Sequence, residues 1–422
     1  MNVQSLFRLL LSFVITAGIA SPAVAAPLTP GNPVILRAGD GSAAISNAAT
    51  AVFPDEFTTA GAPVQTITIP ATGATQALTI SGSATSEGML SRSQDGKMLL
   101  FGGYRKDAGG TNPVADTPAT TSRVIGRLLA DGTFDTTVTL TDVIGNMRSA
   151  TTVSGGSFYI GASSGVRYMA DPLLTTSVQI DNRNSRQVAL SANTLFACNG
   201  STSAGFTAKV QSYGSLPTGA TAAIPIVNLA MADAVNSMWL FDVNPAVAGD
   251  DTLYIASVVE NQVRKYTYDG ITWNDGGNLP GQGIFHITGS VSGNTVNLFC
   301  TSATTLYSLT DTSGSGTLNG TLTVLATAGT NTIFKGVALF PPAAAAPLNL
   351  LSFSLTPLGG GGQQVALSVQ GSPGISARLE LTNDLASWST VQTVPLDASG
   401  LGTFNYADTT AGGRRYYRAA AP

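Results

Sequence analysis

The chain has 422 residues, a formal net charge of −4 and only 10% charged side chains, against about 25% in ordinary soluble proteins. Its 43% of hydrophobic residues excludes a disordered chain, which combines low hydrophobicity with high net charge, and the weak acidity excludes nucleic-acid binding, which needs clustered Lys and Arg. A single histidine, His286, and two cysteines, Cys198 and Cys300, leave little material for a His-based metal site or a Ser-His-Asp triad.

The N-terminus is read as a secretory signal peptide over residues 1–25. Arg8 supplies the positive charge, Leu9 to Ala20 the apolar core, and Ala23 and Ala25 the small-x-small cleavage pattern. The apolar run is shorter than the roughly 20 residues that span a bilayer. The expected locations are outside the cell, on its surface or in the periplasm, with no membrane span once the signal is removed.

From residue 27 to 340, short runs rich in Val, Ile, Thr, Tyr and Phe alternate with Gly, Asn, Asp and Ser turns, which predicts an all-β fold. The runs repeat. VILRAGD (Val34), AVFPDEF (Ala51) and VQTITIP (Val64) come first. Then one apolar element recurs at KMLLFGGY (Lys97), GSFYIGAS (Gly156), NTLFACNG (Asn193), DTLYIASV (Asp251) and NTVNLFCT (Asn294). Its spacing of about 35 to 60 residues brackets the roughly 40 to 50 of a four-stranded propeller blade. Each copy is preceded by a first strand: SEGMLSRSQDG (Ser86), NMRSATTVSGG (Asn146), NSRQVALSAN (Asn184), SMWLFDV (Ser237) and GIFHITGSVSG (Gly283). A sixth first strand, TIFKGVALFPP (Thr332), has nothing after it to pair with. The three N-terminal runs supply what it lacks, so the pattern predicts a β-propeller closed by one strand from its C-terminal side, with six blades, or seven in the alternative count. Residues 341–347, PPAAAAP, read as a semi-rigid linker. Residues 348–422 carry enough alternating runs for a small immunoglobulin- or fibronectin-like β-sandwich with Trp388 in its core. The two cysteines fall in non-adjacent blades and are expected to be buried, unpaired thiols.

Innermost propeller strands line the central channel. Aligned on their turns, the first strands place a large polar or aromatic residue at one level: Glu87, Arg148, Arg186, Trp239, His286 and Lys335. Such a ring, mostly positive, at one mouth of the channel would hold an anionic group such as a uronate, phosphate or carboxylate. Hydration of the channel, or pairing of Glu87 with an Arg, is the plainer reading of the same residues. Other candidates are weaker. SRSQDGK (Ser91) lacks the spacing and Trp of a sialidase Asp-box and reads as a tight turn. Asp250-Asp251 reads as a solvated turn rather than half a calcium site. Asp55 and Glu56, being neighbours in a strand, cannot both enter one glycosidase site. Tyr266, Tyr268 and Trp273 read as blade-edge cover with sugar stacking as the alternative, and the Asn199 glycosylation acceptor pattern carries little weight in a bacterial chain.

The phrases ILRAGDGSAA, FPDEFTTAGAPVQTI, GSATSEGMLSRSQDGK, IGNMRSATTV, DTLYIAS and LATAGTNTIFKGVAL resemble a group of uncharacterised secreted bacterial β-propeller proteins. LELTNDLASWSTV and RRYYRAA resemble a module that ends exported proteins of Planctomycetes and Verrucomicrobia. The resemblance implies an extracytoplasmic propeller and names no reaction, cofactor or site residue. The leading expectation is therefore a secreted or surface binding or scaffold protein that recognises an extracellular ligand or partner, such as a polysaccharide. The alternatives are a propeller lyase or hydrolase, with His286 as base beside Arg148 or Arg186, and a structural surface-layer component. The shortage of Asp, Glu and His clusters favours binding over catalysis, and no cofactor is expected.

Overall fold

The structure is a computed structural model. It describes residues 25–201, 207–230, 233–340 and 348–420, apart from 372–375, 386, 398, 411 and 413. The signal peptide (save Ala25) and the 341–347 linker lie outside the described residues.

The chain divides into two units, one comprising residues 33–338 and the other 339–422 with Thr29–Asn32. The first begins with β1 (Pro33–Ala38), β2 (Ala49–Phe57), β3 (Pro63–Thr66), β4 (Thr79–Ser81), β5 (Ser91–Arg92), β6 (Met98–Tyr104), β7 (Arg123–Leu129) and β8 (Phe134–Leu140). Four antiparallel meanders follow. They are β9 (Met147–Thr151), β10 (Phe158–Ala162), β11 (Gly165–Met169) and β12 (Val178–Asp181); β13 (Ser185–Ser191), β14 (Thr194–Asn199), β15 (Ala208–Ser212) and β16 (Ile224–Asn228); β17 (Val235–Phe241), β18 (Thr252–Ser257), β19 (Gln262–Tyr268) and β20 (Trp273–Pro280); and β21 (His286–Ser292), β22 (Thr295–Thr301), β23 (Thr305–Asp311) and β24 (Thr323–Thr327). Then β25 (Ile333–Leu339) returns to pair with β1, in a nine-stranded sheet that runs β25-β1-β2-β4-β6-β7-β8 with β3 on β2 and β5 on β6. Strand β2 serves two neighbours, Val52–Glu56 pairing with β1 and Ala49–Ala51 with β4.

The turns follow from residue type. The β13–β14 hairpin pairs Ser191 with Thr194 across two residues, Ala192 and Asn193, both at positive φ. That is the type I′ geometry whose twist matches the strands; Asn tolerates it, whereas at Ala192 it is strained. The SRSQDGK segment is the expected tight turn, in which Ser93 Oγ donates to Asp95 Oδ1 and Gly96 takes a φ of 73°.

Apolar clusters lie between successive sheets. Leu100, Ile125 and Val138 meet Met147, Phe158 and Ile160; Val166 and Ile180 meet Val188 and Leu195; Val210 and Val227 meet Met238 and Ile255; Ala256 and Val263 meet Ile287 and Leu298. Each of the inner sheets therefore buries both faces, contributing to the cluster before it and the cluster after it, which removes apolar surface from water at about 25 cal/mol per Å².

The innermost strands are linked in a closed circuit. Gly336 N donates to Gly88 O (2.9 Å) and Met89 N to Arg148 O (3.1 Å). Val188 N donates to Ser149 Oγ (3.0 Å) and Met238 N to Gln187 Oε1 (2.8 Å). Ile287 N donates to Ser237 Oγ (3.0 Å), and Val337 N to His286 Nδ1 (3.1 Å), which returns to β25. Sheets that succeed one another around a ring of inner strands form a β-propeller. The leftover sixth first strand is the one that closes it.

The second unit holds two three-stranded antiparallel sheets. One is β26 (Asn349–Pro357), β27 (Gln363–Gln370) and β30 (Leu401–Asp408); the other is β28 (Ser376–Thr382), β29 (Ser389–Pro395) and β31 (Tyr416–Ala420). Val365, Leu367, Val369, Ala377, Leu379, Leu396 and Phe404 make one core from both. Trp388 is not in that core, which corrects the expectation. It is partly exposed, and the Arg418 guanidinium lies 4.2 Å from its ring centroid. Among the described residues no helix is long and apolar enough to cross a membrane.

Candidate functional site

The six residues singled out on the first strands do not form one ring. Glu87, Arg148, Arg186, His286 and Lys335 lie before the inner strands or within their first three residues. Trp239 is the fifth residue of β17 and pairs with Tyr254, towards the opposite end. Two physical facts break the simple alignment. First, β9 and β13 carry register shifts beside Arg148 and Arg186, and a bulge re-aims the side chains of its strand. Second, the interior is bridged at that level: Gln187 Nε2 donates to Leu90 O (3.1 Å) and Ser91 Oγ to Val188 O (2.8 Å). Gln187, fully buried, also accepts from Ser237 Oγ (2.9 Å). A neutral Gln in an apolar run gives no sequence signal of this role.

Each member of the N-terminal set has a distinct state. Glu87, 1% exposed, accepts from Ser81 N (2.9 Å), Tyr104 Oη (2.7 Å) and Asn146 Nδ2 (2.5 Å). Burial raises its pKa against those hydrogen bonds and the Lys335 charge. Lys335, fully buried, donates to Gly82 O and Ala84 O, each at 2.7 Å, and burial pulls its pKa down to about 8. Arg148 donates to Ser185 O (2.6 Å) and to Asn184 Oδ1. Its burial and the neighbouring Arg186 lower its pKa to about 9, and its Nε has no partner. Arg186 lies flat on Gly200, where a Cβ would stand 2.6 Å from a guanidinium nitrogen. Its side chain makes no hydrogen bond or ion pair with any described residue, and its buried Nε is also unpaired. His286 is fully buried, and desolvation takes its pKa down to about 3. It is a neutral structural acceptor that no substrate can reach, which removes it as the base of a lyase centred on Arg148 or Arg186.

At the opposite end of the inner strands a cavity of about 320 Å³ is lined by Arg92, Ser93, Gln94, Ala189 to Ala192, Trp239 and Leu240. The Arg92 guanidinium lies 5.3 Å from the Trp239 ring centroid and has no ion pair or side-chain hydrogen bond among the described residues. Its burial lowers its pKa. Gln94 donates through Nε2 to Asn193 Oδ1 (2.9 Å), while its buried Oε1 has no donor. The same wall continues into a second cavity of about 370 Å³ that adds Asp250, Tyr268, Ile271 and Trp273. The Tyr268 and Trp273 rings pack in a tilted pair with centroids 5.3 Å apart. Arg92 and Gln94 were missed because they sit in and beside a two-residue strand that the sequence shows as a turn.

The remaining candidates resolve as structure. Asp55 pairs with Arg37 (2.6 Å) and Thr66, and Glu56 accepts from Gln65 (2.8 Å), on opposite sides of β2. Asp251 is not solvated as expected: 2% exposed, it accepts from Val243 N, Asn244 N and Thr252 Oγ1. Asp250 lines the second cavity, its pKa raised by burial despite a hydrogen bond from Ser191. Tyr266 is buried. Among the described residues no group of three His, Cys, Asp or Glu is placed to hold a metal ion.

No protein family and no curated protein matches the sequence. Distant likenesses exist among solved structures. A provisional 6-phosphogluconolactonase of Bacteroides fragilis is 12% identical over 89% of this chain and 98% of its own, with a TM-score of 0.41. A β-propeller domain of Cps50 (Swd1) from Myceliophteria thermophila is 11% identical over 72% and 98%, at 0.38. A chain of a nidogen–laminin complex is 11% identical over 74% and 100%, at 0.40. At such identities and scores they say nothing of what this chain binds or acts on.

Proposed function

We propose that this is a secreted or cell-surface binding protein: a six-bladed propeller, its nine-stranded sheet being two blades joined through β2 and β4, followed by a β-sandwich, with the propeller recognising an anionic extracellular ligand. One observation carries the ligand reading. Arg148, Arg186 and Lys335 share the N-terminal end of the inner strands with Glu87, which electrostatics couples to Lys335 and Arg148, and Arg186 has no acceptor of its own among the described residues. Uncompensated cations taken out of water are costly, and a bound carboxylate, sulfate or phosphate group offsets that cost with the bidentate geometry Arg favours. The burial of His286 weighs against the lyase alternative.

The test is a polysaccharide array probed with the mature chain, with release of new chain ends followed in the same wells. Binding without release, weakened about tenfold or more by Arg186→Ala, is the expected result, since a charged hydrogen bond is worth about 1.5–3 kcal/mol. Chain-end release would replace this reading with an enzyme, and binding indifferent to Arg186 would remove the anion site.

A further inference from the structure

The cavity at the far end of the inner strands is a second site, separate from the arginines just described. Three features of its walls constrain an occupant. Arg92 presents a cation held against the Trp239 ring, 5.3 Å from its centroid, with no carboxylate to neutralise it among the described residues. Gln94 presents a buried carbonyl oxygen with no donor. An occupant that satisfies both carries an anionic acceptor and a neutral hydrogen-bond donor close together. A sulfate dianion offers the first without the second, and an apolar ligand offers neither. A sugar acid offers both, its carboxylate and its hydroxyls.

The continuation sets the length. Ser191, Ala192 and Leu240 belong to the walls of both cavities, so the two adjoin, and the second reaches the tilted Tyr268–Trp273 pair. Together the volumes fall within the roughly 300–1,000 Å³ typical of ligand pockets. Aromatic faces take the C–H faces of pyranose rings, while hydroxyl and amide groups answer sugar hydroxyls as donor or acceptor. Asp250 lines the aromatic end and would repel a second carboxylate there, which directs the acidic residue to Arg92.

We propose that the adjoining cavities bind an extended glycan, with a uronic acid residue seated at Arg92 and Gln94 and a following sugar against Trp273. Arg92 pairs with the carboxylate, Gln94 accepts from a ring hydroxyl, and Trp239 fixes the guanidinium plane. No bond is made or broken.

The experiment is calorimetric titration of the full mature chain with a cellohexaose carrying one terminal glucuronic acid residue in place of glucose, and with cellohexaose as the uncharged counterpart. The expected result is tighter binding of the uronate, an affinity about tenfold lower in Arg92→Ala, and a comparable loss in Trp273→Ala, each being the size of one charged contact or one stacking face. Ile271→Glu tests the same site without risk to folding, because Ile271 is 85% exposed; the added carboxylate should weaken uronate binding more than cellohexaose binding. Loss of uronate binding in Arg186→Ala alone would place the ligand at the other end of the ring and overturn the inference while sparing the anion reading above. Equal binding of the two oligosaccharides, absence of binding, or indifference to both Arg92→Ala and Ile271→Glu would also overturn it.

Discussion

The imidazole Nδ1 of His286 accepts the backbone amide of Val337 at 3.1 Å, and the ring is fully buried. That hydrogen bond joins β21 to β25. Because Nδ1 accepts, the proton resides on Nε2 and the ring is neutral.

A pH dependence follows. The folded pKa of about 3 lies below the ordinary 6.5, so between these values the unfolded chain binds a proton that the folded chain does not. Stability contributed by the neutral ring is complete above pH 6.5 and is lost as pH falls towards 3, at up to about 1.4 kcal/mol per pH unit. With one histidine in the chain, comparison with His286→Gln separates its share from that of Glu87 and Asp250, whose pKa values burial raises. Urea unfolding across the fall from that ordinary value should show a falling midpoint for the wild type and a flatter profile for His286→Gln. Parallel profiles would contradict the assignment.

Ring closure makes Gly336 intolerant of a side chain. A Cβ there would stand 2.3 Å from Leu90 N and 2.4 Å from Gly88 O, both backbone atoms that cannot step aside. Gly336→Ala should cost about 1–3 kcal/mol, the range of overpacked sites. Gly156, with nothing within 4 Å, should accept Ala with a change below about 0.5 kcal/mol. Thermal melts of the two variants provide the comparison.

The Lys265–Asp311 pair should behave as a buried ion pair. Lys265 Nζ donates to Asp311 Oδ2 (2.9 Å), Ser313 Oγ (2.8 Å) and Gly314 O (2.6 Å), and Tyr254 Oη donates to the same carboxylate oxygen (2.6 Å). Asp311→Leu alone strands a buried ammonium and should cost about 3–5 kcal/mol. Adding Lys265→Met should recover part of that loss. A strictly additive double variant in denaturant titrations would show that the two charges are not coupled.

Cys198 in β14 and Cys300 in β22 are buried and unpaired, and burial pushes both thiols up to about 12. The thiolate is the reactive form. A thiol reagent at pH 8 should therefore titrate neither cysteine in the native protein and both in denaturant.

The strands were legible because a period of two in apolar residues, cut by Asn-Gly-type turns, admits one reading, and because TIFKGVALFPP lacked a partner that the N-terminal runs could supply. The sites were less legible. Arg148 and Arg186 stand beside register shifts that leave no mark in composition, so equal spacing did not mean equal direction. Trp239 is aligned by the turn that follows its strand, although its position along β17 places it at the other end. Arg92 and Gln94 belong to a segment whose Ser, Asp and Gly spell a turn. Their meeting with Trp239 is made by the ring, between residues far apart in the chain. Trp388 shows the converse: an aromatic in an alternating run is not core unless its face of the strand is covered.

The pairing of β25 with β1 has a consequence for synthesis. The strand that completes the ring is the last of its residues to leave the ribosome, and its partner is among the first. Until Leu339 emerges, β1 keeps a bare edge and the Val337 amide that His286 awaits does not yet exist. Every nascent chain therefore carries an open sheet for most of its time on the ribosome, and a message truncated anywhere before that codon yields a product with a permanently adhesive edge.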